Sequence, residues 1–125
     1  MEAVYRLEGK DGRGAYNTDT YPNSNRYYGV NLSYSHSWQY NRPPVAGDVP
    51  DWEYGMLSAT EDIPSLVAWF EHEIDDLIKF RNIQLVKYTV KAYKKSISGW
   101  QVAFDPKEVI GKEVMPKKIL RKFLT

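Results

Sequence analysis

A chain of 125 residues, 42% hydrophobic and 26% charged with a net charge of +1, is expected to be one soluble globular domain with a core of its own. The absence of cysteine excludes disulfides and thiol catalysis. No apolar run approaches the roughly 18 residues a membrane span needs, and the opening MEAVYRLEGKDGRG lacks the apolar core and cleavage site of a signal peptide. The near-neutral total hides an asymmetry. Residues 1–78 carry five basic and thirteen acidic side chains, and residues 79–125 carry twelve basic and three acidic. Either the two halves neutralise each other in the fold, or the basic half serves an acidic or nucleic-acid partner.

In chain order, Ala3–Leu7 alternates Tyr5 and Leu7 with Arg6 and predicts a short strand. It runs into Gly9–Gly14, where three glycines in six residues predict a turn. That run has neither the context of a dinucleotide-binding loop nor a following P-loop Lys-Ser/Thr. Residues 16–50 set tyrosines and Trp38 among Asn, Ser, Pro and Gly. Rigid aromatic side chains in polar loops gather at binding surfaces, although they also pin long loops to a sheet. Tyr27, Tyr28, Trp38, Tyr40 and Arg42 are the candidate partner contacts.

Trp52–Ala59 reads as a strand leading into the most regular stretch, Thr60–Phe80. Ile63, Leu66, Val67, Phe70, Ile74, Leu77 and Ile78 recur there at steps of three and four, which predicts a single amphipathic helix. Thr60 or Asp62 can cap it, and Pro64 suits the first turn. Ile83–Tyr93 alternates as a half-buried strand, and the Ser96–Gly99 turn leads to Trp100–Phe104, so the two runs predict an antiparallel hairpin. Pro116 opens a short basic helix anchored by Ile119, Leu120 and Phe123. The order of elements gives an α+β domain, a small mainly antiparallel sheet on one central helix with a short terminal helix.

Chemistry is sparse. His36 and His72 have no cysteine partners, so no metal site is expected. His72 stands four residues before Asp76, the spacing of a helical ion pair. No serine lies in a nucleophile elbow, and most carboxylates fall on the exposed helix face.

The segments YRLEGKDGRGAY (5–16), GMLSATEDI through WF (55–70) and SGWQVAFD (98–105) resemble a group of small phage and prophage proteins. The same order weakly resembles ADP-ribosyltransferase folds of the arginine–serine–glutamate type. That second resemblance implies NAD held by Arg6 on the first strand and a pocket braced by Ser58 and Thr60. Gln101 stands where the family has its glutamate. Glutamine can bond a ribose hydroxyl but lacks the charge that stabilises an oxocarbenium-like transition state. Each residue also has a plainer role: Ser58 and Thr60 at the helix entry, Gln101 on a strand, Arg6 beside a carboxylate.

Three functions follow as expectations. The first is a phage-type interaction protein in the bacterial cytoplasm, without cofactor, inhibiting a host defence protein or ribonucleoprotein complex in the manner of an anti-CRISPR. The second is an NAD-dependent transferase through Arg6, Ser58, Thr60 and Gln101. The third is nucleic-acid binding through Lys87, Lys91, Lys94, Lys95, Lys117, Lys118, Arg121 and Lys122, interleaved with Tyr93 and Trp100.

Overall fold

The structure is a computed structural model that describes residues 2–16 and 45–124. The chain is α+β, and its first strand, β1 (Glu2–Gly9), lies at one edge of the first sheet. Its alternation sends Val4, Arg6 and Glu8 to one face and Tyr5 and Leu7 to the other, and both faces are covered. It pairs antiparallel with β3 (Ile83–Val90), Glu2 opposite Val90 and Gly9 opposite Ile83. On its other side β3 pairs with β6 (Val109–Met115), giving the first sheet the order β1-β3-β6. A second sheet has the order β2-β5-β4, built from Leu57–Ala59, Val102–Phe104 and Lys94–Lys95. An isolated bridge between Tyr5 and Thr60 joins the sheets at one corner.

Two cores lie on opposite faces of the first sheet. Val4, Val86, Tyr88 and Val90 meet Ala59, Val102 and Phe104 of the second sheet. Leu7, Ile83 and Leu85 meet the helical layer through Leu66, Val67, Phe70, Ile74, Leu77 and Leu120. Burying each large apolar side chain contributes about 1.5–3 kcal/mol, so these two contacts dominate the favourable terms.

The expected single helix is two, α2 (Ile63–Trp69) and α3 (Ile74–Lys79), preceded by a short α1 (Val45–Asp48). Asp62 is the N-cap of α2, with its carboxylate accepting from Ser65 N at 2.7 Å. Thr60 instead donates its hydroxyl to Asp62 O at 2.8 Å. The break follows from Trp69. On a straight helix it falls roughly 60° outside the apolar stripe, whereas the turn closed by Glu73 N to Phe70 O at 2.9 Å accompanies burial of both Trp69 and Phe70. His72, in that turn, sets Nε2 3.3 Å from Glu71 Oε1.

The expected hairpin between Ile83–Tyr93 and Trp100–Phe104 does not form. Those runs lie in different sheets, and β5 pairs with β2 and β4 instead. Alternation specifies the face a strand buries, not the neighbour it pairs with. Strand β2 is shorter than Trp52–Ala59, because Gly55 at φ +95° turns the chain just before it. Strand β6 carries no sequence signal of its own: it is half-exposed, and a bulge opposite Thr89 and Val90 leaves Ile110 outward. The terminal helix is a 3₁₀ helix (Lys117–Phe123) anchored by Leu120, while Phe123 stays largely exposed.

Candidate functional site

A cleft of about 530 Å³ opens where β1, the Gly9–Gly14 turn, β2 and α2 meet. The glycine run folds as expected: Gly12 takes φ +86°, and Gly9 N donates to Arg13 O at 2.7 Å. The cleft gathers Arg6 and Ser58 from two strands and Thr60 and Gln101 from the connections beside β2 and β5, together with Trp52, Tyr16, Trp69 and Phe70 as aromatic walls. The Trp69 indole N–H donates to Tyr16 Oη at 2.6 Å, and the Tyr16 and Phe70 rings lie 6.1 Å apart. The Trp52 indole N–H is buried without an acceptor among the described residues.

Each of the four polar residues is engaged. Arg6 Nε donates to Glu8 Oε1 at 3.0 Å, Nη1 to Ser58 O at 2.8 Å and Nη2 to Gly12 O at 3.4 Å. Burial pulls the guanidinium below its ordinary pKa, and the charge of Glu8 and its hydrogen bond pull the other way. Ser58 thus serves Arg6 through its carbonyl. Thr60 exchanges backbone hydrogen bonds with Tyr5 at 2.8 and 2.9 Å, the corner where the sheets join. Gln101 donates Nε2 to Asp48 Oδ2 at 3.0 Å.

Two carboxylates that sequence reasoning passed over hold these groups. Glu8 is 0% exposed and accepts from both Arg6 and the Tyr88 hydroxyl, the latter at 2.7 Å, with Lys112 Nζ 3.5 Å from its second oxygen. Burial first, then the bond to Glu8 and its charge, push the Tyr88 phenol far up. The signal for the Arg6–Glu8 pair was present, since residues two apart on a strand share a face. Asp48 is buried and accepts from Ser98 N at 2.9 Å, Ser98 Oγ at 2.6 Å and Gln101. Burial pushes its pKa up, but the bonds from Ser98, Gln101 and Ser96 outweigh that and hold it below the ordinary value. Nothing in the sequence around Asp48 marks it as buried.

The other candidates fall elsewhere. Tyr27, Tyr28, Trp38, Tyr40 and Arg42, with His36, lie outside the described residues. The eight basic residues are spread over β3, the β4 edge, the bend before it and the terminal 3₁₀ helix. Lys117 donates Nζ to the carbonyls of Leu77 and Phe80 at the end of α3, and Arg121 Nε lies 3.5 Å from Asp75 Oδ1. Those two cations steady α3. Lys91, Lys94, Lys95, Lys118 and Lys122 are exposed, and Lys87 is half-buried. Among the described residues no helix is long and apolar enough to cross a membrane.

A small α+β chain with an aromatic-walled cleft braced by buried charge matches, over residues 1–117, the family model of the bacteriophage T4 Y00F protein. The chain belongs to that family and is a small phage protein. No curated protein and no solved structure matches it.

Proposed function

We propose that the protein is an interaction protein that binds and inhibits a host defence complex, as anti-CRISPR proteins do, rather than turning over a substrate. Membership of a phage family supports this reading, and Tyr54 carries it. Gly55 at φ +95° and the Met56 N to Glu53 O bond of 3.1 Å build a tight turn, and Tyr54 projects from it 98% exposed. The turn fixes the backbone, a tyrosine side chain has only two torsions left to order on docking, and tyrosine is among the residues that dominate binding energy at interfaces. Trp52 and Met56, on either side of that turn, line the cleft, so a partner seated on Tyr54 would lie beside it.

One observation favours a second reading, an NAD-using transferase. Arg6, Ser58, Thr60 and Gln101 line one cleft, as the resemblance implies. Both readings meet in one experiment. Tagged protein is used for a pull-down from a nuclease-treated bacterial lysate beside Tyr54→Ala, Ser58→Ala and Arg6→Ala, with labelled NAD in parallel. A stoichiometric partner lost in Tyr54→Ala, with no label transferred, supports the interaction protein. Label transfer that falls in Ser58→Ala and Arg6→Ala replaces it with the enzyme. Neither a partner nor transfer sinks both.

A further inference from the structure

We infer that the Lys94–Gln101 segment is a pre-ordered docking loop that seats Ile97 in an apolar socket edged by carboxylates on a partner protein. This rests on the reading of the chain as an interaction protein and assigns it a second contact, apart from the cleft.

The loop is built to an unusual degree from side-chain acceptors. Ile97 N donates to Asp48 O at 2.8 Å and Ser98 N to Asp48 Oδ1 at 2.9 Å. Gly99 N and Gln101 N donate to Ser96 Oγ at 3.1 and 3.3 Å, and Trp100 N to Ser98 Oγ at 3.1 Å. Five consecutive backbone N–H groups that a surface loop would ordinarily give to water are therefore satisfied within the fold. Ser98 Oγ and Gln101 Nε2 add two more donors to the same carboxylate. Gly99 at φ +78° supplies the turn, and Trp100 anchors the base edge-on against Trp69 at 6.0 Å.

Burying a carboxylate is costly, and here that cost fixes the shape of a loop whose apolar tip faces solvent. Ile97 is 77% exposed. An isolated exposed isoleucine is ordinary, but one held out by a saturated hydrogen-bond cluster has already paid the ordering entropy of binding. Lys94 and Lys95 precede it on exposed β4, and Lys91 is exposed just before them. Asp48 faces inward, Glu61 accepts from the Tyr93 hydroxyl at 2.6 Å, and among the described residues none of these three lysines is held in an ion pair. An apolar tip with exposed cations on one side is complementary to a greasy socket with an acidic edge. An aliphatic tip offers no plane for a base to stack on, and one isoleucine is too little surface to hold a bilayer, so a protein is the fitting partner.

The test is photo-crosslinking of the full chain in bacterial lysate, with p-benzoylphenylalanine replacing Ile97, Tyr54 or, as a control, exposed Lys107. The proposal expects a protein adduct from position 97, mapped by mass spectrometry to an apolar peptide flanked by carboxylates, and none from position 107. Combining Lys94→Glu with Lys95→Glu, or raising salt to about 0.5 M, is expected to cut its yield about tenfold. Asp48→Asn, which loosens the loop without altering the surface, is expected to lower it as well, with circular dichroism confirming that the variant is folded. An adduct at 54 but not at 97 overturns the docking loop and leaves the interaction reading standing. Adducts at neither position overturn both. A 97 adduct to nucleic acid or lipid, or one indifferent to charge reversal, overturns the socket.

Discussion

Replacing Glu8 by alanine tests the physical core of the cleft. Glu8 is fully buried and, among the described residues, is the one carboxylate bonded to Arg6, whose side chain is itself 7% exposed. The substitution leaves a guanidinium in the interior with two carbonyl acceptors, strips the Tyr88 hydroxyl of its acceptor and takes the opposing charge from Lys112. Removing one member of a buried pair costs about 3–5 kcal/mol, because the surviving charge is left uncompensated. With a urea dependence of about 2 kcal/mol per molar, the unfolding midpoint read by tryptophan fluorescence should fall by about 2 M. The companion variant carries Arg6→Met with Glu8→Leu. It removes both charges and should recover at least half of that loss, even though Ser58 O and Gly12 O then lack a donor. A Glu8→Ala cost below about 1 kcal/mol, or a double variant as unstable as the single, would refute the claim that this pair braces the cleft.

Asp48→Ala should cost about 2–3 kcal/mol and speed amide exchange at Ile97 and Ser98, while exchange in β3 holds. Because the Asp48 pKa is lowered by folding, its stabilisation is present above the ordinary value of 3.8 and is lost as pH falls through the folded-state value. The wild-type minus Asp48→Asn difference in urea stability should shrink over that acid range, and a flat difference would sink the assignment. Gly14→Ala places a Cβ 3.1 Å from Arg6 Nη2, which is tied in place, so a loss of about 1–2 kcal/mol is expected. That loss should vanish in an Arg6→Met background. The Tyr93 phenol, raised to about 12 chiefly by its bond to Glu61 and then by burial, contributes stability below pH 10 that disappears as pH climbs toward 12. Ultraviolet titration should lose one late-ionising tyrosine in Tyr93→Phe, and an unchanged curve would refute it.

What could be read from the sequence was what local geometry controls. The alternation of Tyr5, Arg6 and Leu7, and of Val86, Tyr88 and Val90, marked strands that exist, and the α+β class followed. The stripe from Ile63 to Ile78 marked the helical layer but not its interruption, which depends on two bulky rings competing for one interior. Sheet membership was illegible because Val102 and Phe104 present the same alternation whichever strand lies beside them. Strand β6, exposed over most of its length, offers a pattern no different from a loop. That Arg6, Ser58, Thr60 and Gln101 line one cleft was not legible, because only the fold brings such separate segments together. Glu8 and Asp48 were missed because a buried carboxylate and a solvated one are spelled the same way, and only the surrounding donors distinguish them.

The pairing of β1 with β3 has a consequence for how the molecule is made. Glu2 lies opposite Val90, so β1 leaves the ribosome well before the strand it pairs with exists. Until then both of its faces, and the charged pair Arg6 and Glu8, are without the neighbours that satisfy them. Closure over so long a separation is slow. Chains that stop before β3 should therefore lack a partner for β1 and be removed by the host's proteases rather than accumulate as partly active fragments.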